Sequence, residues 1–471
     1  MKAKIPLRIT ESVPETEFDV IIVGAGLSGL TSAYSAARAN PACRILLLEA
    51  GPLGPVRHLD SADGPDTAFA RWCVQTCDSY AHPPSEQGGE WAGIGRRVVG
   101  GRGLYWGGVL CRINPAEFDG DAVAKAWLER QGLDETGTGY TDVINRLSAL
   151  EFYWPGGRRF PASTGRRSFA SIDRAASRSG GNPTFSPLEY FRLTTHNAVN
   201  LSLLYNREVE SIDPACDGFT VQHKDAAGRT RTRGRSIILA AGLPENCRLL
   251  ETWHRTRGIY HFTDHLVAGV ACFVPAASRV ARLLASAGQE IYYEDRAAAE
   301  GFNLFLTATG HADGWVLDLW GMGEKDPGRP LELTTDGRHV TIKGEKSAVD
   351  EAKELAMQSA SLQVLNELSA EYGEGLVMTP PKAISTKSAM RKIHFESHHT
   401  GLALAYSSEL GSVDHEACLR NPNLESDDIG RVANSRLFLV GPGALKRMGS
   451  ANPNLTAMSL AGKVGEAAIA E

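Results

Sequence analysis

The spacing of apolar and polar residues changes along the chain, and each change predicts an element. Residues 20–23 (VIIV) form an unbroken β-branched run, the pattern of a strand buried on both faces. Glycines follow, and Ser28 to Ala37 then reads as a helix with small residues on its inner side. Ile45–Leu48 is a second continuous apolar run, ending at Glu49. Farther on, Glu208–Ile212 and Phe219–His223 alternate in polarity and predict paired strands, with a turn at Ala226–Gly228. Ser236–Ala240 predicts another buried strand, and a helix is expected to open after Pro244. From Val280 to Lys346 the pattern predicts short strands between charged turns, with Asp336-Gly337 as a hairpin signal. Ser347 to Glu371 predicts an amphipathic helix that Ser347 and Asp350 start as a capping box. Near the end, Leu437–Val440 predicts a buried strand, and SANPNLT opens a helix running through Ala470. The order implies an α/β class: a Rossmann-like domain combined with a second, antiparallel-sheet domain.

The first two strands enclose chemistry. Gly24, Gly26 and Gly29 stand as G-x-G-x-x-G between strand and helix, with Leu27 and Ser28 inside the motif. The first glycine suits a tight turn, the second lets backbone approach a pyrophosphate, and the third lets helix pack on strand. The helix N-terminus then presents its positive dipole end to the phosphates. Glu49, followed by Ala50, closes the next strand 25 residues after Gly24, where a carboxylate accepts hydrogen bonds from a ribose diol. Strand, glycines, helix, strand and terminal acid in this order predict a dinucleotide site. No second such unit follows, which favours one tightly held FAD over a flavin paired with a separate NAD(P)H site.

Composition narrows the function classes. The chain has 471 residues, more than one simple core usually covers, so more than one structural unit is expected. Its net charge of −6 argues against a nucleic-acid partner. No run of 18 apolar residues predicts a membrane span, and the first residues lack the apolar core of a secretory signal. The 8 cysteines are scattered without zinc-ligand spacing, so free thiols and a cytoplasmic location are expected, with no metal site.

Three further segments point toward the same cofactor. RRVVGGRGLYWGGVL, residues 96–110, packs Gly100, Gly101, Gly103, Gly107 and Gly108 around Tyr105 and Trp106. That glycine density forbids regular structure and suits backbone wrapped on a flat ring. Val209 on the strand near an adenine, and Ala241-Gly242 after the strand at 236–240, continue the wall. Gly441-Pro442 and Asn452-Pro453-Asn454, with Thr456, lie at the loop and helix start near the C-terminus, whose dipole would favour negative charge on a flavin.

Taken together, VGAGLSGL with Glu49, VVGGRGLYWGG, RSIILAAGLPENCRLL, Thr263-Asp264-His265 and GSANPNLTAMSLA resemble the glucose–methanol–choline (GMC) oxidoreductases, nearest the pyranose oxidase branch. The resemblance implies an FAD-dependent enzyme that oxidises an alcohol CH–OH to a carbonyl. Its expected substrate is a sugar, a cyclitol or another polar alcohol, and its electrons pass to oxygen or to another acceptor. The family's base lies in a His-x-x-Gly pattern, which falls on His398-His399-Thr400-Gly401 and implies His398. The family's second polar residue falls on Asn452, which would hold the substrate oxygen; the competing role is to cap the last helix. Pyranose oxidases bond the flavin covalently to a histidine where Tyr105 stands, so the FAD is expected to be non-covalent. Gly441-Pro442 departs from the family too, because proline lacks an N–H.

The implied layout is a discontinuous FAD-binding domain at 15–60, 93–150, 200–275 and 395–471. A lid-like excursion occupies 61–92, and 151–199 and 276–394 form the substrate domain. The Ser347–Glu371 helix would brace that domain's sheet. Trp315 and Trp320 are candidates for the pocket wall. The rival reading in another class is an NAD(P)H-dependent flavin reductase or hydroxylase.

Overall fold

The computed structural model describes residues 8–10, 16–53, 58, 80–81, 94–95, 97–104, 106–161, 169–177, 184–190, 200–255, 257–287, 290–311, 314–336, 340–372, 377–379, 402–408, 410, 415–421 and 426–470. Two sheets organise it. The eight-stranded sheet runs in the order Arg8–Thr10, Leu201–Leu204, Ile45–Leu48, Glu17–Val23, Gly228–Leu239, Gly218–Asp225 and Glu208–Ala215, with Leu437–Leu439 pairing the end of Gly228–Leu239. Its core pairs are parallel: Val20 faces Ile45, and Ile21 faces Ile237. The last three strands of that path form an antiparallel meander.

The helix Leu27–Ala39 makes the crossover between Glu17–Val23 and Ile45–Leu48. It packs on the final helix, Asn454–Ala470, through small residues. A Cβ on Gly465 would lie 2.3 Å from the Ser32 carbonyl oxygen, and the Ser32 hydroxyl donates to the Ala461 carbonyl at 2.8 Å. Such close approach puts both helix N-termini at the same end of the sheet, by the loops that carry the site.

The seven-stranded sheet takes Val377–Thr379, Leu402–Ser407, His265–Pro275, Gly314–Glu324, Asn303–His311, Tyr292–Glu294 and Ala170–Ser171 in that order. Alternate residues point to opposite faces. Leu266, Ala268, Val270, Leu304, Leu306, Leu317 and Leu319 join a core with Met357, Val364 and Leu365 of the helix Ala348–Tyr372. Val267, Ala271, Phe305, Met322 and Tyr406 join the other core, shared with the first and last helices. At about 1.5–3 kcal/mol for each fully buried large apolar side chain, this second face ties the two sheets into one body.

Most elements match the polarity pattern. The capping box forms as expected: Ser347 N–H donates to an Asp350 carboxylate oxygen at 2.8 Å, and Asp350 N–H donates to the Ser347 hydroxyl at 3.2 Å. One expectation needs correction. Residues from 280 begin in a helix, Arg279–Ala287, rather than a strand, because Val280, Leu283, Leu284 and Ala287 follow helical spacing and bury one face. The strands His265–Pro275 and Leu402–Ser407, far apart in sequence, pair with each other in the second sheet. Their hydrogen-bond partners are distant in sequence, so polarity alone did not assign them. The lid-like excursion falls almost wholly outside the described residues. Among the described residues no helix is long and apolar enough to cross a membrane.

Candidate active site

A cavity of 520 Å³ opens where the first sheet's parallel strands end. Loops just after those strands supply its walls, where an open α/β sheet presents its ligand crevice. Of the positions expected at a cofactor site, Gly24, Gly26, Leu27, Ser28, Glu49, Ala50, Gly101, Gly103, Trp106, Gly107, Val209, Ala241, Gly242, Gly441, Pro442, Asn452 and Asn454 line it. The remaining predicted positions do not line it. Gly29 packs on the Gly24 carbonyl, which a Cβ would approach to 2.0 Å. Gly100 donates its N–H to Ala25 at 2.7 Å, and Gly108 packs by Thr184 and Ala175. Pro453 is buried with its carbonyl bonded to Ala457, and the Thr456 hydroxyl sits 3.2 Å from that of Tyr140. These five build the scaffold. Tyr105 lies outside the described residues.

The cradle is made of backbone. Gly24 adopts φ 100°, a conformation open chiefly to glycine, and a Cβ there would meet the Ala240 carbonyl oxygen at 2.4 Å. At Gly26 a Cβ would meet nothing within 4 Å, so it would project into free space. Glu49 is buried, and its carboxylate accepts the N–H of Ala25 at 2.8 Å and of Gly51 at 2.9 Å. Burial pushes its carboxyl up to about 7, against the pull of those N–H groups and of Arg97. Two helix N-termini, at Leu27 and Asn454, open on the cavity with the positive ends of their dipoles. Glycine backbone, helix dipoles and a buried acid form the donor and acceptor set that a pyrophosphate and a ribose diol need.

Another part of the cavity wall is made of side chains. His415 and Asn452 both line it, with the Asn452 Nδ2 3.2 Å from the His415 Nε2. The Asn452 Oδ1 accepts the Asn454 N–H at 3.2 Å. The side chain therefore divides its work, capping the last helix with its oxygen while its nitrogen faces the imidazole. Behind His415, its Nδ1 lies 2.8 Å from the Nδ1 of His265, and the Nε2 of His265 lies 2.7 Å from the Gly449 carbonyl. Burial and the Arg102 guanidinium push His415 down to about 3, so its ring is neutral. Arg102 is itself paired with the buried Glu416 at 2.6 Å.

His398, His399 and Gly401 lie outside the described residues, so the histidine seen beside Asn452 is one that the sequence reading missed. His415 is followed three residues later by Cys418, which is buried at φ 58°. That left-handed conformation favours glycine. Cys418, three residues after His415, thus holds a conformation that glycine takes more readily. The sequence signal left to find His415 was a histidine leading into the short strand Ala417–Arg420.

A mixed α/β body with a parallel, dinucleotide-type sheet and a second antiparallel sheet defines the structural class. Within it, the chain is similar in fold to pyridoxine 4-oxidase from Mesorbium loti, with a TM-score of 0.61 and 16% sequence identity over 95% of this chain and 98% of that one. No family model matches the sequence, and no curated protein matches it.

Proposed function

We propose that this chain is an FAD-dependent oxidoreductase of the GMC type that oxidises the CH–OH group of a small polar alcohol to a carbonyl. One observation carries the reading: the His415–Asn452 pair opens into the same cavity as the glycine cradle and Glu49. The backbone of Gly26 and the Leu27 helix end would hold the pyrophosphate, Glu49 the ribose, Val209 the adenine, and the Gly441–Asn454 region the flavin. The fold likeness to a pyridoxine 4-oxidase is consistent with that cofactor. Bound FAD would supply the acceptor for the hydride that leaves the alcohol carbon.

The chain's own residues would do the rest. A substrate hydroxyl at the apex of the pair donates its proton to the His415 Nε2 and accepts from the Asn452 Nδ2–H. Held near 3, the imidazole is neutral across the physiological range, and its Nε2 lone pair, which accepts the Asn452 Nδ2–H in the structure, would pass to a substrate hydroxyl entering between the two side chains. A base held that low is a weak proton acceptor, so proton uptake is expected to accompany loss of the hydride rather than precede it. The amide holds the developing negative oxygen without competing for the proton. Sugars, cyclitols and hydroxymethyl compounds such as pyridoxine are the alcohols to test, and oxygen or another acceptor would reoxidise the cofactor.

The test is anaerobic mixing of the yellow protein with such alcohols, followed by flavin bleaching. His415→Ala is expected to slow bleaching by about 100-fold or more with FAD still bound. His398→Ala is expected to leave it within about threefold. The reverse ranking would return the base to His398. Bleaching by NADPH without any alcohol would favour a flavin reductase instead.

A further inference from the structure

We infer that His265 is a positioning residue that fixes the proton of His415 on Nδ1 and leaves the Nε2, on the cavity side, unprotonated. The inference rests on the reading of His415 as proton acceptor and adds the device that keeps it in the accepting tautomer. Its basis is a row of hydrogen bonds bracketed by two backbone groups of fixed polarity. At one end the Gly449 carbonyl can only accept, so the His265 Nε2, 2.7 Å away, must carry the proton. His265 is neutral, because burial holds its pKa well below the usual value. Its Nδ1 is therefore a lone pair, and the His415 Nδ1 at 2.8 Å must be the donor.

The other end gives the same answer independently. The Asn454 N–H can only donate, which sets the Asn452 amide with its oxygen toward that group and its nitrogen toward His415. The Asn452 Nδ2 can only donate, so the His415 Nε2 at 3.2 Å must be the acceptor. All four bonds run in one direction, and reversing any one would set two donors or two acceptors face to face.

The anchor of this row is itself held. The Gly449 N–H donates to the Glu324 carboxylate at 3.3 Å, and Arg447 holds that carboxylate through its Nη2 at 3.0 Å. His265 has no exposed surface, and its ring meets that of His415 edge-on, with centroids 5.0 Å apart and planes at 82°. When the His415 Nε2 takes a proton, the lone pair of His265 still accepts from Nδ1 and stabilises the cation formed.

The direct test is nitrogen-15 NMR of the purified, flavin-loaded protein with labelled histidine, assigning His415 by its loss in His415→Gln. A protonated Nδ1 and a bare Nε2 in His415 are expected. A protonated Nε2 overturns the inference, whether or not any alcohol reduces the flavin, so this readout is independent of the proposed activity. Kinetics give the second arm. His265→Asn keeps an oxygen near the place of Nδ1, and its flavin reduction rate is expected within about threefold of the parent. His265→Phe offers no acceptor and should lose about 10–100-fold, the usual cost of removing a group that orients a functional histidine. Equal rates in the two variants, low or high, would overturn the inference. Should His265→Phe fail to fold, His265→Gln replaces it, reaching Gly449 but presenting nothing to His415. If His415→Ala reduces normally while the tautomer is as expected, the activity reading falls and the proton arrangement stands.

Discussion

The two ends of the cavity are built by different means. The cradle at Gly24–Gly29 comes from one continuous stretch of chain, with Glu49 on the next strand. Its working groups are backbone N–H groups, glycine Cα atoms and a helix end. The other end brings together His265, His415, Gly449 and Asn452, the two histidines standing 150 positions apart in sequence. Most of its working groups are side-chain atoms, and their hydrogen bonds join His265 of the second sheet to His415, just before Ala417–Arg420, and to the loop at 449–452. A site made of backbone is protected against most side-chain changes but not against an added Cβ. A site made of side chains fails with a single truncation, yet leaves the fold beneath it intact.

That contrast is open to direct attack. The largest effect is expected from Gly29→Ala, whose Cβ would press to 2.0 Å from the Gly24 carbonyl. Loss of bound flavin together with a fall in thermal unfolding temperature is expected. Gly26→Ala, which meets no protein atom, should lower flavin content at an unchanged unfolding temperature. If the two glycine variants behave alike, the division between packing and cofactor approach is wrong. Next comes Asn452→Ala, which removes one donor to a developing oxyanion. It is expected to slow flavin reduction by about 100-fold while flavin content stays normal. The smallest effect is expected from Cys418→Gly. Relief of the left-handed strain, about 1–2 kcal/mol, is offset by the loss of a buried side chain, so the shift in chemical denaturation should stay under about 1 kcal/mol. A large loss of activity in that variant would mean that the thiol, and not the backbone course, matters at this position.

The same contrast explains what the sequence discloses. The strand–glycine–helix–strand unit and the Ser347–Asp350 cap depend on neighbours within a few residues, so polarity and residue type suffice to place them. The helix Arg279–Ala287 is short, and its buried apolar positions fit inside a run that also reads as a strand. His415 carries no local signal of its kind, since the residue three places on is a cysteine, although it holds a positive φ. His265 stood in the segment Thr263–His265 noted for its resemblance alone. Its role depends on a carbonyl 184 residues away, which no local pattern encodes. The dual bonding of Asn452 likewise needed coordinates, since the sequence set capping and substrate contact against each other as alternatives.

Glu49 gives filling of the cavity an acid–base signature. With the carboxyl held near 7, a large fraction of the empty protein carries a proton there at pH 6. Ribose hydroxyls donating to that group favour its ionised form, so uptake of FAD should expel hydrogen ions into the medium. Linkage then fixes the sign: the loaded state binds fewer protons, and affinity should climb as the solution is made less acidic between about pH 5 and 7. Titration calorimetry in buffers of unlike ionisation enthalpy would register the expelled ion as a buffer-dependent heat, and Glu49→Gln should abolish that dependence.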